Sequence, residues 1–215
     1  MCDSDSGLSM SVNGNRKDNK ENEINFRINI SESKSEKVYS FPPDILVSEA
    51  KKIIFEDSKI KLKDSSNYGL FLPPANGKAG KFLQEERLLQ DYPFNGAVGY
   101  LELKYKQRIY RSISLNLSKL KKIHSKGNLK SFIEYVQNNN KEHVNKLLQK
   151  GLDPNFQYRE SGETPLTLAV RLKSPREMIM ILVSGGAHLD YRSIDDLTPL
   201  HKASIIGNIE SIKIR

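Results

Sequence analysis

The side chains of this chain that could do chemistry are few and scattered. His124, His143, His188 and His201 fall on different expected elements, and no two have the i, i+4 spacing of a helical zinc pair. Gly77-Lys78-Ala79-Gly80-Lys81 places glycine beside lysine, as phosphate-cradling loops do. Phe82 follows, however, where such a loop needs Ser or Thr for magnesium, and the glycines are too close together, so the segment reads as a loop between strands. Glu85-Glu86 and Asp195-Asp196 are adjacent acids. Neighbouring side chains on a strand or helix diverge, so neither pair makes a general acid and base. The only cysteine is Cys2, which excludes a disulfide framework and a cysteine-based zinc site. The expectation is a protein that is not an enzyme and uses no metal or cofactor.

The stronger signal is a repeat. Gly162-Glu163-Thr164-Pro165-Leu166-Thr167-Leu168-Ala169 returns as Asp196-Leu197-Thr198-Pro199-Leu200-His201-Lys202-Ala203, about 34 residues later. Ahead of each lies a second matched pair, Gly151-Leu152-Asp153-Pro154-Asn155 and Gly186-Ala187-His188-Leu189-Asp190. A period near 33 with a Thr-Pro-Leu-His-x-Ala box marks ankyrin repeats. Thr164 and Thr198 are expected to cap helices that begin at Pro165 and Pro199, where a missing N–H costs nothing. Leu166 and Leu200 should point into the stack, and Ala169 and Ala203 should let helices approach. His201 reads as a local hydrogen-bonding group, and Thr167 takes its slot in the first box. Helices are expected over Leu129–Gly151 (a pair around Asn138-Asn139-Asn140), Pro165–Leu172, Pro175–Ser184 and from Asn208 onward. The last repeat stops inside its second helix, leaving Ile206, Ile209 and Ile212 without a covering neighbour, so the array is expected to be truncated. Such arrays bind proteins, and the loop-tip residues Tyr158, Arg159 and Glu160 are candidates for that surface.

The N-terminal half has another pattern. Residues 1–23 are polar and should be a disordered tail. Ile24, Phe26, Ile28 and Ile30 alternate with polar residues as a half-buried strand, and Lys37–Phe41 returns as the second arm of a hairpin. Val47–Asp57 reads as a helix with Ser48 as its cap and Ala50, Ile53, Ile54 and Asp57 on one face. Tyr68–Leu72, Phe82-Leu83 and Tyr100–Tyr105 complete the strands. Strands around one covering helix give the α+β class and the order of a ubiquitin-like β-grasp domain. The expected organisation is therefore a tail at 1–23, a β-grasp domain at 24–110, a basic linker at 111–126 with a short helix over Leu115–His124, and about three ankyrin repeats at 127–215.

The chain has 215 residues, 37% of them apolar, enough for two small cores. No apolar run approaches the roughly 18 residues of a membrane span, and the first twenty residues are polar. With its single cysteine, that suits a cytoplasmic protein. The net charge is +8, and much of it sits in one junction, on Arg111, Lys119, Lys121, Lys122, Lys126 and Lys130. A nucleic-acid binder would spread basic and aromatic residues over a folded face, so no nucleic-acid partner is expected.

Three strings carry a resemblance: Tyr68-Gly69-Leu70-Phe71-Leu72-Pro73-Pro74, then Gly80-Lys81-Phe82-Leu83-Gln84-Glu85-Glu86-Arg87-Leu88-Leu89-Gln90-Asp91-Tyr92, then Tyr100-Leu101-Glu102-Leu103-Lys104-Tyr105-Lys106. With the ankyrin strings that follow, they closely resemble the N-terminal region of Shank-family scaffolds over about residues 24–215. The resemblance implies a non-enzymatic postsynaptic-density scaffold. Its first domain would be a FERM F0 or Ras-association-like module for GTP-loaded Ras and Rap small GTPases. The family's basic hairpin residues match Arg27 and Lys37. The alternation of the first strand independently puts Arg27 in solvent, and an acidic effector region suits it. The resemblance further implies ankyrin partners such as spectrin and other scaffold proteins, and repeats that fold back on the first domain and are able to restrict its access. The sequence lacks the later repeats and the SH3, PDZ, proline-rich and SAM regions of the family. Two other readings remain: a FERM-like membrane-cytoskeleton adaptor, only peripherally on the membrane, whose basic linker meets anionic lipid, and an inert truncated product exposing Ile209 and Ile212.

Overall fold

The computed structural model describes residues 23–59, 62, 64–92, 94, 96–110 and 117–213. Apart from Glu23, the expected tail lies outside them, as do Leu115 and Asn116 of the expected linker helix.

The N-terminal half is α+β. Five strands, β1 (Ile24–Ile30), β2 (Ser35–Phe41), β3 (Tyr68–Leu72), β4 (Lys81–Phe82) and β5 (Val98–Tyr105), form one sheet in the order β2-β1-β5-β3-β4. β1 and β5 run parallel, and the other pairs are antiparallel. Helix α1 (Val47–Ser58) covers one face. The period-2 pattern of β1 explains the packing: Phe26, Ile28 and Ile30 are buried with Leu101 and Leu103, and α1 supplies Val47, Ala50 and Ile54. Apart from Ala50, each such side chain contributes about 1.5–3 kcal/mol by leaving water.

Two details of α1 differ from the sequence reading. Its N-cap is Leu46, not Ser48, and the Glu49 side chain accepts from the Leu46 N–H at 3.4 Å. Ile53 is 43% exposed, while Lys51 is buried. The helix is rotated so that Lys51, not Ile53, faces inward, and an acid on the neighbouring loop makes that burial tolerable.

The C-terminal half is helical: α2 (Leu117–Ile123), α3 (Lys126–Gln137), α4 (Lys141–Gln149), α5 (Pro165–Ala169), α6 (Arg176–Ser184), α7 (Pro199–Ile205) and α8 (Ile209–Ile212). The caps follow the sequence. Ser125, Asn140, Thr164, Thr198 and Asn208 each accept a backbone N–H three residues on. Phe132, Val136, Val144, Leu148, Leu166, Ala169, Met178, Leu182 and Ala203 form one continuous core across the repeats. The finger loop before α5 closes at Gly162, which has φ +71 and donates its N–H to Tyr158 O at 2.7 Å. A Cβ there would stand 2.0 Å from Ile194, because the next finger lies against it and the Ile194 N–H donates to Gly162 O at 2.9 Å.

α5 ends at Ala169 rather than Leu172, and α6 begins at Arg176 with Pro175 as its cap. Leu200 does not point into the stack: it is 56% exposed, because among the described residues no further repeat stacks on α7 and α8. Ile206 and Ile209 are exposed for the same reason, whereas Ile212 packs on the core.

Candidate functional site

The sheet order leaves β2 as an edge strand. Its register on β1 sets Arg27 opposite Val38 and Ile28 opposite Lys37. Since Ile28 is buried under α1, Lys37 lies on the helix side of the sheet and Arg27 on the solvent side. The two cations thus bracket the free edge from opposite faces. On the solvent side Arg27 sits between exposed Val38 on β2 and Tyr100 on β5, a cation flanked by apolar surface.

Each cation already has a partner in its own chain. Arg27 Nε lies 3.1 Å from Glu36, and both side chains are about half exposed. Lys37 Nζ donates to Asp57 at 2.5 Å, and the Tyr39 hydroxyl donates to the same carboxylate oxygen at 2.8 Å. The hydrogen bonds from Lys37 and Tyr39 hold the Asp57 carboxyl below its usual range. Burial, with Asp57 beside it, pushes the Tyr39 phenol up to about 12. Glu36 and Asp57 were missed from the sequence. The diagonal Glu36 partner follows once the hairpin register is known, but Asp57 depends on where α1 crosses the sheet.

At the far edge, the β-grasp domain is docked on the repeats. Lys106 is 1% exposed and bridges Glu85 at 2.8 Å to Asp190 of the second repeat pair at 2.7 Å. Lys51 donates to the same Glu85 oxygen at 2.6 Å and to Tyr68 O at 3.1 Å. Burial pushes the Glu85 carboxyl up, but Lys106 and Lys51 outweigh it and hold it below its usual range. Asp190 behaves alike, with Lys106 overcoming burial. For Lys51, burial prevails over Glu85 and its ammonium is drawn below its usual range.

Polar pairs flank this charge chain. The buried amide of Asn67 reads the Arg192 peptide on both sides, accepting its N–H at 2.7 Å and donating to its carbonyl at 2.9 Å. Tyr105 donates to Asp64 at 2.6 Å and lies 2.5 Å from the Tyr191 hydroxyl; burial raises both phenols. Phe82 meets His188 edge to face at 5.1 Å. The segment after β5 then runs along the repeats. The Arg108 guanidinium donates to Leu148 O and Leu152 O at 2.6 and 2.8 Å, and the Tyr110 hydroxyl donates to Gly151 O at 2.9 Å. Arg108 crosses so close to Gly186 (φ +97) that a Cβ there would lie 2.8 Å from its side chain. Among the described residues, all of these interdomain bonds engage residues 64–110, and none involves β1 or β2. The repeats fold back on the first domain, as the resemblance implied, and the bonds that hold them lie away from the unpaired edge of β2.

Tyr158, Arg159 and Glu160 sit together at the finger turn, Tyr158 half-buried and the other two exposed. They lie on the repeats, whereas Arg27 and Lys37 lie on β1 and β2. The histidines are not gathered. Thr198 Oγ1 and His201 Nδ1 pair at 2.8 Å within the helix cap, and the Asp153 N–H donates to His124 Nε2 at 2.8 Å. Among the described residues no group of three or more His, Cys, Asp or Glu could hold a metal, and no helix is long and apolar enough to cross a membrane.

Comparison with known proteins bears on both halves. Residues 24–107 match the N-terminal or F0 domain of the talin-head FERM, and residues 132–214 match a three-copy ankyrin-repeat model. Human SH3 and multiple ankyrin repeat domains protein 2 is 45% identical over 194 residues, 89% of this chain and 10% of that protein. Human SH3 and multiple ankyrin repeat domains protein 1 is 45% identical over 181 residues, 83% of this chain and 8% of that protein. Human 2-5A-dependent ribonuclease is 36% identical over 78 residues, 36% of this chain and 10% of that enzyme. The chain thus spans about a tenth of the length of these curated relatives.

Proposed function

Since the chain belongs to the family of SH3 and multiple ankyrin repeat domains proteins over the region it spans, we propose that its β2 edge receives GTP-loaded Ras- or Rap-type small GTPases. On this reading the region is part of a non-enzymatic scaffold, and its ankyrin repeats serve protein–protein interaction. The observation that carries this reading is the free edge strand bracketed by Arg27 and Lys37. An incoming strand gains backbone hydrogen bonds along β2, and an acidic effector loop gains cations on both sides of them. That the docked repeats engage only the opposite side of the domain supports binding without domain opening. On the same reading, the finger residues Tyr158, Arg159 and Glu160 contact cytoskeletal partners such as spectrin or other scaffold proteins. The setting is cytoplasmic, at the postsynaptic density. Titration calorimetry of residues 1–215 against GTP-analogue-loaded and GDP-loaded GTPase tests the reading.

The resident acids tune this site. Glu36 holds Arg27 and also repels an acidic partner, so Glu36→Gln should tighten binding. Exposed pairs are worth about 0.2–1 kcal/mol, so the gain is at most about fivefold, carried mainly by a faster on-rate and shrinking with added salt. Stopped-flow association at two ionic strengths reads it, and an unchanged or weaker association would remove Glu36 from the site.

A further inference from the structure

A one-sided cluster of charge lies away from the β2 edge and the finger turn, on α2 and the start of α3. Lys119, Lys121, Lys122, Lys126 and Lys130 are all exposed, and no acidic residue occurs from Leu117 to Lys130. None of the five makes an ion pair among the described residues, in contrast to Arg27, Lys37, Lys51, Lys106, Lys141 and Lys202, which all do. The two helices are fixed relative to one another and to the array. Asn128 Nδ2 donates to Lys122 O at 3.1 Å, Ser125 caps α3, and His124 receives the Asp153 N–H. Half-buried Ile123 and Leu129 pack on the repeat core. The lysines are therefore presented on a rigid corner rather than a loose tether.

Fold stability explains only part of this pattern. Lys121 and Lys122 suit the carboxyl end of α2. Lys126 stands at the amino end of α3, whose first turn holds no acid, so it opposes the helix dipole. Four or five like charges held together without counter-ions also repel one another.

We propose that this corner docks on an anionic membrane surface. The residue types decide between acidic partners. Recognition of a protein or nucleic acid favours Arg forks and aromatic rings, and Lys is depleted in protein interfaces. This corner has lysine alone, with no Arg or aromatic ring among its described exposed residues. Compact, mobile ammonium groups on apolar stems suit a diffuse negative surface that has no fixed geometry to match. Unlike the GTPase reading, this inference rests on α2 and α3 alone, so either can fail without the other.

The test is co-sedimentation of residues 1–215 with vesicles of phosphatidylcholine alone or with about a third phosphatidylserine, at low and raised salt. Binding is expected only with anionic vesicles and should fade as salt screens it. Each lysine near such a surface is worth about fivefold in partitioning, so Lys122→Gln/Lys126→Gln should lower it about thirtyfold. Lys52→Gln/Lys78→Gln changes net charge equally at two exposed sites on the other domain and should leave partitioning within about twofold. Circular dichroism confirms that both variants fold. Equal binding to neutral vesicles, equal loss in both variants, or capture of polyglutamate or an oligonucleotide without capture of vesicles would overturn the proposal.

Discussion

Glu85→Ala should destabilise the chain by about 3–5 kcal/mol, more than any exposed charge change. Glu85 is the single acid shared by two buried ammonium groups, Lys51 and Lys106, whose side chains are 10% and 1% exposed. Its removal leaves Lys51 with only a backbone carbonyl and Lys106 with only Asp190. Breaking a buried pair on one side costs that much because the remaining charge is left without compensation. The loss should appear in both halves of the molecule, since Lys106 ties the sheet to the second repeat pair. Glu85→Gln should fall between, keeping one acceptor. Chemical denaturation of the three chains measures it, and a change under about 1 kcal/mol for Glu85→Ala would show that water reaches these lysines. The pH dependence has a defined sign. Glu85 and Asp190 are both depressed by folding, so their contribution is fully present above the unfolded carboxylate value near about 4. It is lost as pH falls through their lower folded values, so the acid limb of the stability curve should be shallower in Glu85→Gln.

Arg27→Glu is expected to weaken GTPase binding at least about thirtyfold, while leaving stability nearly unchanged. The substitution replaces a cation with an acid where an acidic effector loop would land, next to resident Glu36 at 3.1 Å. Loss of a hydrogen-bonded interfacial charge costs about 2 kcal/mol or more, and every 1.4 kcal/mol is tenfold. The folded chain loses only an exposed pair worth about 0.2–1 kcal/mol. Lys37→Glu should have a smaller effect, because Lys37 is already committed to Asp57 on the opposite face. Isothermal titration together with thermal denaturation separates the two quantities. A binding loss that tracks a loss of stability would mean that Arg27 acts on the fold instead.

Much of this fold was legible because local rules dominate it. The alternation of Ile24 to Ile30 and the Thr-Pro boxes fixed strands and caps from neighbouring residues alone. The misreadings come from tertiary context. Helical spacing put Ile53 on the inner face, but Lys51 is the residue that faces inward, because Glu85, 34 residues on, supplies a counter-charge. Leu200 was read as a core residue from its box, yet its burial depends on a neighbouring layer absent from the described residues. At the candidate site, period-2 reasoning correctly put Arg27 in solvent. It could not supply Asp57, whose approach to Lys37 depends on the angle of α1 over the sheet. The docking of the two halves through Asn67, Tyr105 and Lys106 left no local signature beyond polar residues in an ordinary strand end.

The most direct test of the central claim is titration of intact 1–215 with Rap or Ras GTPase carrying a GTP analogue, set against the GDP form, with Arg27→Glu alongside. Because the repeats dock on the opposite side of the domain, saturable binding to the GTP form should be seen in the intact chain, with little to the GDP form and at least about thirtyfold loss in the variant. Equal affinity for both nucleotide states, or full affinity in Arg27→Glu, would contradict a nucleotide-sensing site at the β2 edge.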